Sequence, residues 1–313
     1  MASYLLRRIL ATIPVMLLVA IFIFLLLRLT PGDPAAIIAG DYANDAQIAE
    51  IREKLGLDEP LFTQFFYWLG NIFQGDFGES FFYKKQVGEL IASRIEPTLS
   101  LSLMTIVLTV MIAVPLGTLA AYRQGSWTDR IIMGFSVLGF SLPVFVIGYA
   151  LIWLFSLELG WLPVQGYQRI SDGVGGWFIR LLLPSLALAV VFVAFIARMT
   201  RTSVLEVLGE DYIRTARAKG QTERKVLMRH ALRNAAVPIV TVIGLSFAIL
   251  IGGVVVTESV FTLPGLGLLT VEAVLARDYP TIQAVILLFS LVYVVINLLI
   301  DLSYTVLDPR IRY

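Results

Sequence analysis

The sequence predicts an all-α polytopic membrane protein with six transmembrane helices and a helical outer segment between the first and second. Three observations carry this reading. The chain is 58% hydrophobic and only 15% charged, with a mean hydropathy of +0.83, whereas water-soluble chains carry about 25% charged residues. Six charge-free stretches come close to or exceed the roughly 20 residues a helix needs to cross a hydrocarbon core. The charges are also segregated: the interruption from Arg198 to Asn234 holds nine Lys/Arg against four acids.

The six stretches are Ile9–Leu27, Thr98–Tyr122, Ile131–Leu157, Leu181–Ala197, Ala235–Thr257 and Tyr279–Ile300. In lipid a backbone must satisfy its own hydrogen bonds, so runs of this length are helices. The fourth is the shortest and is expected to extend into its flanks, with Arg180 and Arg198 snorkelling. Arg7-Arg8 before the first run resembles a signal-peptide start, but Thr30-Pro31-Gly32-Asp33-Pro34 follows instead of a small-x-small site. The first run is therefore read as a retained helix.

This gives an N-terminal transmembrane helix over residues 1–29, an extracytoplasmic helical segment over 30–97, and a five-helix core over 98–313 that includes the polar element 198–234. Fifteen Lys/Arg fall on the inner side and eight on the outer if both termini are cytoplasmic, in line with the positive-inside rule.

The outer segment is acidic, with eleven Asp/Glu against five Lys/Arg. Asp45 is expected to cap a short helix carrying Ile48, Ile51 and Leu55, with Gly56 as its stop. A second helix opens at Pro60 and carries Leu61, Phe62, Phe65, Phe66, Tyr67, Trp68 and Phe73, an aromatic density suited to a membrane interface. Gly75-Asp76-Phe77-Gly78 reads as a turn. The segment is either a lid packed on the bundle or a docking face for an external partner. Leu263-Pro264-Gly265-Leu266-Gly267 is a second outer turn.

Within the basic interruption, Glu210 and Asp211 stand where a helix begins and Arg217 and Lys219 where it ends, both complementing the helix dipole. Gly220 supplies the left-handed position after the helix, and Thr222 is placed to cap the next one. Ile213, Ala216, Val226 and Leu227 are apolar positions that could enter a partner's groove, with the Arg and Lys residues at its rim.

Thr215-Ala216-Arg217-Ala218-Lys219-Gly220, with His230-Ala231-Leu232-Arg233-Asn234 and Pro238 downstream, resembles the cytoplasmic "EAA" loop of ABC importer permeases, in the form found in the dipeptide/oligopeptide family. Further agreement comes from Pro31-Gly32-Asp33-Pro34, Gly75-Asp76-Phe77-Gly78, Arg198-Met199-Thr200-Arg201, Leu263-Pro264-Gly265-Leu266-Gly267, Arg277-Asp278-Tyr279-Pro280 and Asp308-Pro309-Arg310-Ile311-Arg312-Tyr313. The resemblance covers essentially the whole chain and is to the first of two paired permeases. It implies a type I ABC importer permease fold and a coupling role for Glu210, Asp211, Tyr212, Arg214, Thr215, Ala216, Arg217, Lys219 and Gly220. Where many such permeases have Glu-Ala-Ala, this chain has Arg214-Thr215-Ala216. The expected ion pairs to an ATPase therefore shift to Asp211, Arg214, Arg217 and Lys219.

Absences narrow the chemistry. There is no Cys, a single His (His230) and no Gly-Lys dipeptide, hence no thiol chemistry, no His cluster and no phosphate-cradling Walker loop. The apolar centres hold no Asp, Glu, Lys, Arg or His, unlike proton- and ion-coupled carriers, which place ionisable groups at membrane depth. Arg28, Glu258 and Asp301 lie at span edges and are expected to anchor at the interface.

The resemblance further implies that the fifth helix lines the pathway. Thr241, Ser246, Gly252, Gly253 and Thr257 are its candidate residues, with Ser141 in the third helix. Small residues there serve either close packing or, alternatively, lining and flexing. Gly244 belongs to the same group, while Ser136 and Pro143 are further lining candidates and Asn297 in the sixth span is read as interhelical glue.

The expected function is a non-catalytic permease subunit carrying half the pathway for di- or oligopeptides or related small solutes. The implied partners are a second permease, two cytoplasmic ABC ATPases holding ATP and Mg, an extracytoplasmic solute-binding protein and the bilayer. No cofactor, metal or nucleic acid is expected on this chain. Rival readings are a self-sufficient channel or ion-coupled secondary transporter, an intramembrane enzyme, or glutathione, a nickel chelate or a glycoside as passenger.

Overall fold

Apolar helices occupy all six stretches singled out by hydropathy, and two of the six are interrupted. The computed structural model describes residues 2–29, 35–36, 44–54 and 56–307. Residues 30–34, 55 and 308–313, used above, lie outside the described residues.

In chain order, α1 is Ala2–Leu29, α2 Asp45–Lys54 and α3 Leu61–Phe73. A two-stranded antiparallel hairpin, β1 Glu79–Ser80 and β2 Lys85–Gln86, leads into α4, Val87–Tyr122. Next come α5 (Trp127–Ser141) and α6 (Val144–Leu151), the latter continuing as a π-helical run Ile152–Glu158. The long α7 is Val174–Leu208, and α8 is Asp211–Ala218. A broken helical linker follows: Glu223–Lys225, a π-helical run Val226–Ala231, and Leu232–Asn234. The chain finishes with α9 (Ala236–Gly253), α10 (Val255–Val260), α11 (Leu266–Leu275) and α12 (Tyr279–Leu307).

Among the described residues, α4, α7, α9 and α12 are each long and apolar enough to cross a membrane. The expected third span is not one straight helix. It bends by 103° between α5 and α6, where Leu142 is extended (φ −91, ψ 131) ahead of Pro143. Proline removes an N–H and pushes the preceding residue out of the helical region. Taken as one, this pair is a fifth span, and α1 is apolar over the shorter stretch Leu10–Leu25. The fourth span extends as expected: at 35 residues, α7 is about 52 Å long, well beyond the hydrocarbon core.

Contacts divide the chain into two units, Met1–Glu96 with Gly265–Val294, and Pro97–Pro264 with Val295–Tyr313. In the first, Val87, Leu90 and Ile91 pack on Leu266, Leu269, Ala284 and Val285. Ala20, Ile23 and Leu287 form a second cluster with residues of α3, where the Phe24 ring meets Phe65 and Trp68 at 5.2 and 5.6 Å between centroids. Asn44, not Asp45, caps α2: its side chain accepts from Gln47 N at 2.9 Å while the Gln47 side chain accepts from Asn44 N at 3.0 Å, a reciprocal box. Gly56 is in the left-handed region, as expected of its stop.

The Arg277-Asp278-Tyr279-Pro280 motif also finds its reason here. Arg277, at φ 54, occupies the left-handed position that ends α11. Asp278 is buried and accepts from Ser80 Oγ, from Phe81 N at 3.3 Å and from Thr281 Oγ1 at 2.7 Å, joining the hairpin to the start of α12. Alongside, the Tyr83 hydroxyl donates to Glu272, and burial together with that carboxylate pushes the phenol up to about 12.

In the second unit, α7 is the axis. Leu181, Leu183, Ala187 and Leu188 join Leu101, Ile147, Leu250 and Phe261 in the largest cluster. Two glycines let backbones meet there: a Cβ on Gly117 of α4 would lie 2.4 Å from Ala197 O, and one on Gly139 of α5 would lie 3.1 Å from Val190 O. Glu258 corrects an expectation. It is fully buried, accepting from Thr98 Oγ1 at 2.6 Å, so it joins α10 to α4 within the protein instead of anchoring at the lipid interface.

Candidate coupling element and pathway

The element is a short helix clamped to the chain that follows it. Glu210 is its N-cap residue without a side-chain cap bond, Asp211 lies in the first turn and Arg217 in the last. Gly220, at φ 73, takes the left-handed position. Its N–H donates to Arg217 O at 2.9 Å and that of Gln221 to Ala216 O at 3.2 Å, which is the Schellman pairing. Thr222 holds the N-cap position of the next turn, but its side chain makes no cap bond there.

The apolar stripe faces the opposite way to the groove contact expected of it. Ile213, Ala216 and Val226 are buried against Val207 and Leu208, and Leu227 packs against the neighbouring cluster of Ala231, Ala235 and Ile239. An eight-residue helix presents one such stripe, and here it is consumed in holding α8 to its own chain. The outward face is polar: Tyr212, Arg214, Thr215, Arg217 and Lys219 are all exposed.

Two side-chain ties make the element one piece. Arg217 grips Glu223 with Nε to Oε1 at 2.9 Å and Nη2 to Oε2 at 3.2 Å, spanning the Gly220 turn. Asn234 Nδ2 donates to the Tyr212 hydroxyl at 2.9 Å and to His230 O at 2.9 Å, so α8 is bonded to the residue two before α9 begins. Gln221 Oε1 also lies 2.8 Å from His230 Nε2. Arg214 pairs within its own turn, with Asp211 at 3.3 Å.

Upstream, Arg201 near the end of α7 holds Asp129 of α5 at 2.6 and 2.7 Å, and Gly125 N donates to the same carboxylate at 3.0 Å. Sequence reading missed Asp129 and Glu223, and it placed Asn234 in the loop motif without the bond to Tyr212. For Asp129 a signal existed: Ser126 caps α5, and its Oγ accepts from Asp129 N at 3.4 Å, the Ser-x-x-acid spacing of a helix start.

The pathway candidates fall into three groups. Ser246 and Thr257 are buried, and their hydroxyls have no hydrogen-bond partner among the described residues. Thr241 donates back to Val237 O at 2.7 Å and Ser141 to Val137 O at 2.8 Å. Gly252 and Gly253 are exposed, and a Cβ at either would meet nothing within 4 Å. They close α9 just before the break at Val254, and Gly252 continues an open stripe of Leu245, Ile249 and Val256 at helical spacing. Gly244 is a packing glycine instead: its Cβ would lie 2.3 Å from Ile300 Cγ1.

Long apolar helices, with a short charged helix tied to the chain just ahead of the fifth span, define a polytopic membrane protein. Residues 113–313 match the binding-protein-dependent transport system inner membrane component family, and residues 1–102 match the N-terminal model of such membrane components. This chain belongs to that family, the permease subunits of ABC importers. It is 56% identical over its full length, and over all of the other chain, to the "Probable peptide ABC transporter permease protein y4tP" of Sinorhizobium fredii. It is 46% identical, again over all of both chains, to the glutathione transport system permease protein GsiC of Salmonella typhimurium. The MetNI methionine ABC transporter, solved in inward-facing conformations, shares the fold at TM-score 0.58 and 19% identity, over 70% of this chain and 96% of that one.

Proposed function

We propose that this chain forms half of the translocation pathway of an ATP-driven importer of di- or oligopeptides. In this reading it pairs with a second permease, sits on two cytoplasmic ABC ATPases that hold ATP and Mg, and receives its passenger from an extracytoplasmic binding protein. Both termini are cytoplasmic, and the chain itself hydrolyses nothing. The names of the relatives support a peptide passenger, and glutathione, as a tripeptide, falls in the same chemical class.

The observation that carries the proposal is the Tyr212–Asn234 bond at 2.9 Å together with the Arg217–Glu223 clamp. Closure of the ATPase pair would draw on the polar outer face of α8, and these ties would pass the displacement to α9 without slack. The helices then reorient from inward- to outward-facing, and the passenger enters and is discharged as ATP is hydrolysed. Glu210, Asp211, Tyr212, Arg214, Thr215, Arg217 and Lys219 are the contact residues in this reading, with Ala216 and Gly220 holding their geometry.

The test is affinity isolation of this chain from detergent-solubilised native membranes, with subunit stoichiometry by mass spectrometry and peptide uptake by the reconstituted assembly. Two ATPase copies, a second permease and ATP-dependent peptide uptake are expected. Passage of peptide through the chain alone, without ATP, would favour the channel reading.

A further inference from the structure

Two cavities in the first unit adjoin. One, of about 420 Å³, includes Arg28 and the carboxylates Glu53, Glu59 and Asp76 in its lining. The other, of about 450 Å³, is an apolar groove between α1 and α12, with Leu18, Phe22, Ile282 and Ile286 among its walls. Tyr279 and Gln283 line both. The result is a site with a charged end and an apolar end, on a chain whose surroundings are lipid.

The charged end is built. Arg28 lies over the Phe24 ring at 3.7 Å, and its Nε and Nη2 donate to Gln64 Oε1 at 2.9 and 2.8 Å. Gln64 is 8% exposed and is itself fixed, its amide donating to Leu57 O at 3.1 Å and Glu59 O at 2.7 Å. A guanidinium has five N–H donors, and among the described residues Arg28 meets a neutral amide and a ring but no carboxylate. A cation at the end of a membrane helix without a counter-charge is costly. An anionic oxygen group complements the guanidinium donors that Gln64 leaves over, since Arg donates to phosphate in two-point geometry.

The remaining features fix what else the ligand carries. Three carboxylates beside one arginine disfavour a ligand of net negative charge and favour one that brings its own cation. The apolar groove calls for a hydrocarbon chain, which neither a free phosphate nor a small peptide has. Helix α3 supplies the depth: Phe62, Phe66 and Phe73 are exposed at 80%, 66% and 83%, placing an aromatic face at the level of lipid headgroups.

We propose that these adjoining cavities bind a zwitterionic amine-headgroup phospholipid, phosphatidylethanolamine. Its phosphate sits on Arg28, its ammonium among Glu53, Glu59 and Asp76, and an acyl chain lies along the α1–α12 groove. The lipid belongs to the leaflet on the side of residues 44–86. It would hold the outer segment to the membrane-spanning helices, whatever passenger the importer carries.

The experiment is native mass spectrometry of the detergent-purified assembly, titrated separately with phosphatidylethanolamine and phosphatidylglycerol. One tightly held phosphatidylethanolamine per chain is expected, with phosphatidylglycerol about tenfold weaker because it lacks the ammonium. Arg28→Gln should lower its occupancy severalfold. Ser290→Trp, which fills the groove and leaves the charged end untouched, should do the same and stands in if Arg28→Gln does not fold. Equal retention of the two lipids, or wild-type occupancy in the folded variants, would overturn the proposal.

Discussion

Arg201 closes a two-point pair on Asp129, its Nε and Nη2 lying 2.6 and 2.7 Å from the two carboxylate oxygens. The aspartate is 4% exposed, and the pair ties the first turn of α5 to α7 ten residues before α8 begins. Removing one partner of a pair of this kind costs about 3 kcal/mol, because the other charge is left uncompensated. Asp129→Asn should therefore lower thermal stability in detergent measurably. The exchange of both residues, Asp129→Arg with Arg201→Asp, should recover part of the loss. A silent Asp129→Asn would remove the pair from the scaffold.

Gly220 separates backbone from space. Its φ is 73, yet a Cβ there would meet nothing within 4 Å, so only the left-handed conformation resists substitution. Asn tolerates that region and β-branched residues do not. Gly220→Val should abolish most uptake while membrane insertion is retained, and Gly220→Asn should keep a substantial part of it. Equal uptake in the two variants would show that the turn does not matter to coupling.

Charge reversal distinguishes an internal from an external role for Arg217. If its main partner is Glu223, Arg217→Glu loosens the linker, and Glu223→Arg in the same chain restores ATPase co-purification and uptake. If Arg217 acts on the ATPase directly, the second change rescues nothing. Lys219→Glu, on the same exposed face, should weaken ATPase recovery without altering the thermal stability of the isolated chain.

Close packing at Gly244 predicts a steric cost with a specific remedy. Its Cβ would fall 2.3 Å from Ile300 Cγ1, and overpacking of this kind costs about 1–3 kcal/mol. Gly244→Ala should lower the melting temperature in detergent, and Ile300→Ala should compensate it. Additive losses in the double variant would refute the contact.

The Tyr83 phenol is raised from 10.0 to about 12, which makes a statement about pH. A raised value means folding favours the protonated form, so its contribution is complete below about pH 10 and is lost as pH rises through about 12. Tyr83→Phe should therefore destabilise the β1–β2 hairpin by a constant amount between pH 5 and 9. A pH-dependent difference over that range would point to a different ionisation next to it.

Hydropathy located the apolar helices because membrane burial leaves a long, charge-free trace. It did not locate the 103° bend at Pro143. Pro14, Pro97, Pro115 and Pro184 all lie inside continuous helices, so proline alone does not decide where an apolar run breaks; the packing around it does. Glu258 was misjudged for a related reason, since a charge at the end of an apolar run looks the same whether it meets headgroups or a buried threonine.

In the element from Glu210 to Asn234, the helix limits and the Gly220 stop were legible from neighbouring residues, because caps are local. The inward turn of Ile213 and Ala216 was not: their spacing defines a face but not what covers it. Arg217–Glu223 and Tyr212–Asn234 span six and twenty-two residues, outside the three- and four-residue reach of helix-surface rules. They exist only once the linker has folded back.

The π-helical run Val226–Ala231 sets the phase of everything after it. A π-turn holds one residue more than an α-turn, so if the same six residues closed an ordinary α-ladder the following helix would be rotated by about 100°. Asn234 would swing away from Tyr212, and the open stripe of Leu245, Ile249, Gly252 and Val256 would point elsewhere. The π-winding of residues 226 to 231 therefore acts as an angular setting: it fixes which side of the fifth span is presented, separately from how far that span is moved.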